Sequence, residues 1–335
     1  MSSPHVAGAV ALLLQANPKL QSRKVRDILL NTAVPKLWSL GPQYGILDST
    51  FRQGAGLLDI YDAIVATTRV TPGKLALGES QGGPVTATLT VSNNSADDVT
   101  YNLSFEAGIA VAGTFVQSFW GSNESVAFSS NSITVPAGGE VSVNATITAP
   151  PIDPTGNAGV PDQSLYGGWI VFTPVGGDGI TLRVPYAGFV GDYQSIQPLT
   201  PTANGFPWLA KIVGLSYVKQ LDGAVFTMAG GDIAHILLHI DQQFQQLQMQ
   251  VIDPATGRNF QYIDNEKYLP RNSSATGFFD FAWDGTTFTP SGKKAFTVPN
   301  GSFVVNVRAL KALGNPDNPA DWQTWTSPHF TIARP

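Results

Sequence analysis

Val85-Thr86-Ala87-Thr88-Leu89-Thr90-Val91 alternates apolar and hydroxyl-bearing side chains without a break. On an extended chain successive side chains point to opposite faces. Val85, Ala87, Leu89 and Val91 therefore share one face, and Thr86, Thr88 and Thr90 the other. That is the pattern of a strand with one face on a core and one in water. Asn93–Asp98 reads as a turn, after which Tyr101, Leu103 and Phe105 resume the alternation. Further strands are expected at Ile133–Val135, Val141–Ile147, Gly168–Phe172 and Ile180–Tyr186, with Pro136-Ala137-Gly138-Gly139 as a turn. Many short strands at this spacing predict an antiparallel β-sandwich.

Toward the C-terminus, Pro198–Asn204 is rich in Pro and Thr and reads as a linker. Beyond it, strands are expected at Ala234–Ile240, Gln246–Val251, Phe303–Leu310 and Phe330–Ile332, which predicts a second sandwich. In the first of these, Ala234, Ile236, Leu238 and Ile240 take the core face. His235 and His239 are left outward, as exposed strand histidines. His-x-x-x-His is a zinc arrangement on a helix. Here the alternation says strand, and Ile236 stands where a metalloprotease would need glutamate, so no metal site is assigned. Trp283, Trp322, Trp325 and Phe330 could form a carbohydrate or peptide platform, or belong to the sandwich core.

Toward the N-terminus the period is helical. Val6, Val10, Leu13 and Leu14 recur at helix spacing among small residues, the signature of a helix covered on most sides. Asn17-Pro18 ends it. Ser22 is the expected N-cap of a second helix, Arg23–Thr32, with Val25, Ile28 and Leu29 inward. In Gln53–Ile64, Gly54 and Gly56 supply a turn before a short helix that carries Leu57, Ile60 and Ile64.

Met1-Ser2-Ser3-Pro4-His5-Val6-Ala7-Gly8 resembles the right-hand half of the active-site signature of subtilisin-like serine peptidases. Gln53–Ile64 resembles the segment that closes their catalytic domains. Leu182-Arg183-Val184-Pro185-Tyr186-Ala187-Gly188-Phe189 resembles the fibronectin-III-like domain of the large extracellular members. The resemblance implies that the nucleophilic serine precedes Met1 and that the base and its orienting aspartate lie further upstream. It gives Met1, Ser2, Pro4, His5 and Gly8 structural places beside the motif and assigns no catalytic role to Ser2, Ser3 or His5. A triad needs all three groups in hydrogen-bonding geometry and an oxyanion hole. This chain alone is therefore expected to be inactive.

The expected fold is mostly β. Residues 1–68 would be a helical remnant of a subtilisin α/β domain, 69–197 a fibronectin-III-like sandwich and 198–335 a second one. Without the sheet of the α/β domain, Val10, Leu13, Leu14, Val25, Ile28 and Leu29 would be partly exposed. The resemblance implies the C-terminal portion of a secreted endopeptidase, with the upstream catalytic segment and protein substrates as partners and no cofactor. The alternative is a non-catalytic extracellular protein whose sandwiches bind a partner.

Composition narrows the classes further. A net charge of −5 argues against a general nucleic-acid surface. There is no cysteine, so neither a disulfide nor a thiolate metal site exists. No apolar run is long enough to span a membrane. Asn-x-Ser/Thr sequons occur at Asn93, Asn102, Asn123, Asn144, Asn272 and Asn300, possible glycan acceptors in a secreted protein.

Overall fold

The computed structural model describes residues 2–176, 179–199 and 201–335. The fold is mostly β, with several antiparallel sheets and few helices. It divides into two compact units, Met1–Asp192 and Tyr193–Pro335.

The first unit opens with four helices: α1 (Ser2–Ala16), α2 (Ser22–Thr32), α3 (Thr50–Gln53) and α4 (Ile60–Val65). Ser22 is the first helical residue of α2 and not its cap; Gln21 takes that position without a side-chain cap. Asp59 caps α4, accepting from the Asp62 backbone N–H. Gly56 makes the turn ahead of it at φ +124, where a Cβ would lie 2.5 Å from the Val34 carbonyl group and the Pro35 nitrogen. Only glycine fits there.

Two sheets follow. The first runs β1 (Thr68–Thr71), β3 (Val85–Asn93), β9 (Glu140–Thr148), β7 (Ser125–Phe128). The second runs β2 (Leu75–Glu79), β11 (Leu182–Phe189), β10 (Leu165–Pro174), β4 (Val99–Ala107), β8 (Ser132–Val135), with β5 (Ala110–Ala112) paired to β10 and β6 (Ser118–Trp120) to β5. On β3, Leu89 and Val91 are fully buried. Its outer face carries a ladder of side-chain hydrogen bonds to β9: Thr86 to Thr146, Thr88 to Asn144, Thr90 to Ser142 and Ser92 to Glu140, each 2.9 Å. The alternation thus sets both faces of this strand.

β10 breaks the half-buried rule. From Tyr166 to Phe172 every residue is buried. Tyr166, Ile170 and Phe172 enter the sandwich core. Trp169 points the other way, toward the helical segment, and its Nε1 donates to the Ala55 carbonyl at 3.0 Å. Gly167 lies against Thr50, so the strand can sit close beneath α3. On α2, Asn31 is fully buried. Its Nδ2 donates to the Arg183 carbonyl on β11 at 3.1 Å, and its Oδ1 accepts from the Val70 N–H on β1 at 2.8 Å. Asp27 accepts from the Gly73 N–H. These bonds seat α2 and α3 on the sandwich. The expected exposure of the helical apolar faces is therefore only partly met: Leu13 and Val25 are buried, while Val10, Leu14, Ile28 and Leu29 are half-buried.

The second unit has its own pair of sheets. One runs β13 (Ser216–Lys219), β12 (Trp208–Val213), β15 (Ala234–Leu238), β18 (Phe279–Trp283). The other runs β14 (Ala224–Phe226), β23 (Phe330–Ile332), β21 (Gly301–Lys311), β16 (Phe244–Ile252), β17 (Asn259–Lys267), β19 (Thr286–Phe288), β20 (Ala295–Thr297), with β22 (Trp322–Thr326) on β21. Leu209, Ile236, Leu247, Met249, Val305 and Phe330 are among its core. Leu199, inside the stretch that reads as a linker, is buried in this core, and its N–H donates to Gln323. The Pro/Thr composition there serves a packed entry segment.

On β17, burial and then the neighbouring Glu266 raise the Asp264 carboxyl to about 6. A carboxyl that binds its proton more tightly when folded favours the native state at low pH. This contribution is whole below the unfolded value of about 3.8 and is lost as pH rises to about 6. Asp264→Asn is expected to stabilise the second unit at pH 7 by about 1 kcal/mol, allowing for solvent screening of a half-exposed group. The gain should vanish near pH 3.5. Urea unfolding at the two pH values measures it, and a pH-independent effect would refute the assignment.

Candidate functional site

The motif residues lie on the first two turns of α1. Met1 lies outside the described residues. Ser2, Ser3, Pro4, His5 and Gly8 are all exposed. A Cβ on Gly8 would meet nothing within 4 Å, so nothing in this unit demands a glycine there. A serine nucleophile needs a base, and the base an orienting carboxylate. The first unit contains one histidine, His5, on the same exposed turn. Three carboxylates of the helical segment have structural work. Asp27 binds the loop at Gly73, Asp48 accepts from the Ser49 N–H and pairs with Arg52, and Asp59 caps α4. The described residues of this unit assemble no triad.

The fibronectin-like core holds one buried acid. Glu124 is 6% exposed, and its Oε1 accepts from the Tyr186 hydroxyl at 3.2 Å. Burial raises the Glu124 carboxyl above the usual range. Burial, and then the charge of Glu124, push the Tyr166 hydroxyl up to about 12. No cavity opens on this cluster among those described, so it reads as a core feature.

The expected exposure of His235 and His239 is overturned. Both are buried, at 4% and 2% exposure. β15 is covered on its second face as well. Phe206, Ala210 and Leu237 form a small apolar cluster there, with Trp208 and Tyr217 against it. The Tyr217 ring meets the His235 ring edge-on at 5.6 Å, and the Tyr217 hydroxyl donates to Asp280 at 2.7 Å. His235 Nδ1 bonds the same carboxylate at 2.9 Å. His239 Nδ1 bonds the Gly277 carbonyl at 2.6 Å. Among the described residues, no group of three or more His, Cys, Asp or Glu could hold a metal ion.

Of the two readings of Trp283, Trp322, Trp325 and Phe330, the structure favours the sandwich core. Trp283 and Phe330 are core residues, 2% and 1% exposed. Trp322 and Trp325 stand three apart on β22 and so point to opposite faces. Arg308 covers the Trp322 ring at 4.3 Å, and Trp325 packs on the core. The aromatic cluster that does form, Phe206, Trp208, Tyr217 and Phe278, sits on the outer face of the other sheet. Its one sequence signal is Ala210, small enough to sit among these rings.

The sequon asparagines divide. Asn102, Asn123, Asn144 and Asn300 are exposed. Asn93 is buried, and its Nδ2 donates to the Asp97, Val135 and Pro136 carbonyls. Asn272 is buried, with Oδ1 accepting from the Ile240 N–H. A glycan on either would break a buried network.

Comparison with known proteins fits this architecture. Residues 1–56 match a family model described as the subtilase family, and residues 75–187 one described as an Fn3-like domain. The opening segment is thus similar to the subtilase family, and the sandwich after it to an Fn3-like domain. It is 36% identical to the minor extracellular protease Vpr of Bacillus subtilis (strain 168), over 34% of this chain and 14% of that protein. It is 26% identical to the PII-type proteinase of Lactococcus lactis subsp. cremoris, over 94% of this chain and 19% of that one. With the PI-type proteinase of the same organism, identity is 26% over 82% of this chain and 15% of the relative. The chain thus spans less than a fifth of the length of these relatives. No helix among the described residues is long and apolar enough to cross a membrane.

Proposed function

We propose that this chain is the C-terminal portion of a secreted subtilisin-like serine endopeptidase. On this reading residues 1–68 complete the catalytic domain, and 69–197 and 198–335 are accessory sandwiches that brace it. The observation that carries the proposal is α1. It is apolar on nearly every side, yet only Ala9 and Leu13 are buried; Val6 and Leu12 are 43% and 51% exposed. A helix of that composition is built to be covered all round. Beside it runs an apolar groove of about 400 Å³ lined by Val6, Val10, Val25, Leu29, Ala55 and Leu58. The upstream catalytic segment of the parent enzyme is the cover. It brings the base, the orienting aspartate and the serine that stands immediately before Met1. That serine sits at the start of α1, where backbone N–H groups favour developing negative charge. The parent cleaves peptide bonds of protein substrates through an acyl-enzyme, outside the cell. Where its host glycosylates, Asn102, Asn123, Asn144 and Asn300 are the acceptors.

Residues 1–335 alone are expected neither to hydrolyse casein nor to react with a serine-directed phosphonate. Joined in frame to the upstream catalytic segment, they should do both. Alanine in place of the serine before Met1 should then abolish activity, while Ser2→Ala and Ser3→Ala should retain most of it. Amides of α1 should exchange rapidly in the chain alone and become protected in the joined protein. Slow exchange in the chain alone, or phosphonate labelling at Ser2 or Ser3, would overturn the reading in favour of a self-contained protein.

A further inference from the structure

A second cavity lies on the far side of α2 from the apolar groove, and its wall has a different chemistry. It measures about 670 Å³. It is bounded by the end of α1, the turn through Pro18, the start of α2, the end of α4 and the entry to β1. Three cationic residues line it: Lys19 from the turn, Lys24 from α2 and Arg69 from β1. No aspartate or glutamate does. That asymmetry is unexpected in a chain of net charge −5 with 24 acidic and 19 basic residues.

The three cations are not neutralised from elsewhere. Among the described residues none of them forms an ion pair, whereas Lys211, Arg52 and Arg183 each do. Lys24 and Arg69 are half-buried, so their charges are only partly solvated. Arg69 Nε donates to the Thr71 hydroxyl at 3.3 Å, and that hydroxyl donates to Asp27 at 3.3 Å, so the carboxylate reaches Arg69 only through Thr71 and forms no direct ion pair with it. Two backbone carbonyls of lining residues are already occupied: Ile64 accepts from Asn17 Nδ2 and Thr67 from Asn94 Nδ2. Leu20, Ile28 and Ile64 add half-buried apolar surface. Concave sites of a few hundred Å³ with an apolar lining and a few convergent polar groups are the usual form of a small-molecule pocket. Unpaired half-buried cations are costly unless a counter-charge completes them.

We propose that this cavity binds a phosphorylated small molecule of sugar-phosphate size. Lys24, Arg69 and Lys19 would engage the phosphate, and the carbon skeleton would cover Leu20, Ile28 and Ile64. A bare phosphate is too small to fill the space, and a neutral sugar lacks the charge that the wall calls for. An acidic peptide segment would also satisfy the charge, and its tighter binding is an outcome that overturns the proposal. The proposal does not depend on the proteolytic reading, since none of Ser2, Pro4, His5 or Gly8 lines the cavity and its test needs no proteolysis.

Calorimetry on residues 1–335 with glucose 6-phosphate, inorganic phosphate, glucose and a hexaglutamate peptide tests it. Glucose 6-phosphate is expected to bind in the millimolar range or tighter, inorganic phosphate more weakly and glucose not at all. Affinity should fall as salt rises. Lys24→Gln and Arg69→Gln should each weaken binding about tenfold, the loss of one charge-assisted contact. Lys293→Gln, remote in sequence and absent from the wall, should not. Both lining substitutions change exposed or half-exposed ends of long side chains, and unchanged thermal melts would show that the fold is intact. No binding of glucose 6-phosphate at about ten millimolar, equal binding by wild type and both variants, or tighter binding of hexaglutamate would each overturn the proposal.

Discussion

Trp169→Ala is expected to destabilise the first unit by about 3–5 kcal/mol, the usual cost of removing a large aromatic from a packed site. Trp169 is fully buried, on the face of β10 opposite the sandwich core. Its removal opens a cavity between β10 and the helical segment and leaves the Ala55 carbonyl without its donor. Trp169→Phe separates the two effects. It keeps most of the ring volume and loses only the Nε1 hydrogen bond, so it should cost less. Urea unfolding followed by circular dichroism gives both values. Hydrogen exchange should show α3 and the Gly54–Gly56 turn loosening before the β3–β9 pair. A loss below 1 kcal/mol for the alanine variant would mean that the helical segment and the sandwich are not packed as described.

Asn31→Ala is expected to cost about 2–5 kcal/mol. Two backbone groups, the Val70 N–H and the Arg183 carbonyl, would be stranded in a buried seam, at roughly 1–3 kcal/mol each. Asn31 is the side chain that ties α2 to a strand of each sheet, so exchange protection should fall in α2, β1 and β11 together. Asn31→Asp gives a sharper control. It keeps an acceptor for Val70 and loses the donor to Arg183. A buried carboxyl facing a carbonyl holds its proton more tightly when folded, so this variant should be least stable at neutral pH and recover as pH falls. Equal stability of the aspartate variant at pH 4 and pH 7 would contradict the burial of this position.

Both positions show where reading a sequence stops. Asn31 is one polar residue on a helix and looks like any solvent-facing amide. Trp169 sits in an apolar run that signals burial without saying what covers its second face. The α2 boundary also depends on three dimensions: Ser22 is a good cap by type, yet the chain enters the helix one residue earlier.

Local pattern carried much of the rest. The alternation over Val85–Val91 determined that strand and both its faces, because a period of two assigns alternate side chains to core and solvent regardless of distant chain. The Gly54–Gly56 turn follows from φ/ψ demands met within a few residues. Pro-His-Val-Ala-Gly on an apolar helix carried the resemblance to the subtilase family, whose model residues 1–56 match; composition alone predicted a helix covered on most sides, whereas Val6 and Leu12 are exposed. Periodicity names the two faces of an element but not how many will be covered. His235 and His239 were placed on the outer face correctly and called exposed wrongly, because Tyr217 of β13 closes on His235 and the loop at Gly277 on His239. In the first unit the helical segment covers the second face of β10, and Asn93 and Asn272 each lie inside a hydrogen-bond network of their own unit. Burial of a second face is settled by what packs against it, and only the tertiary structure brings those partners together.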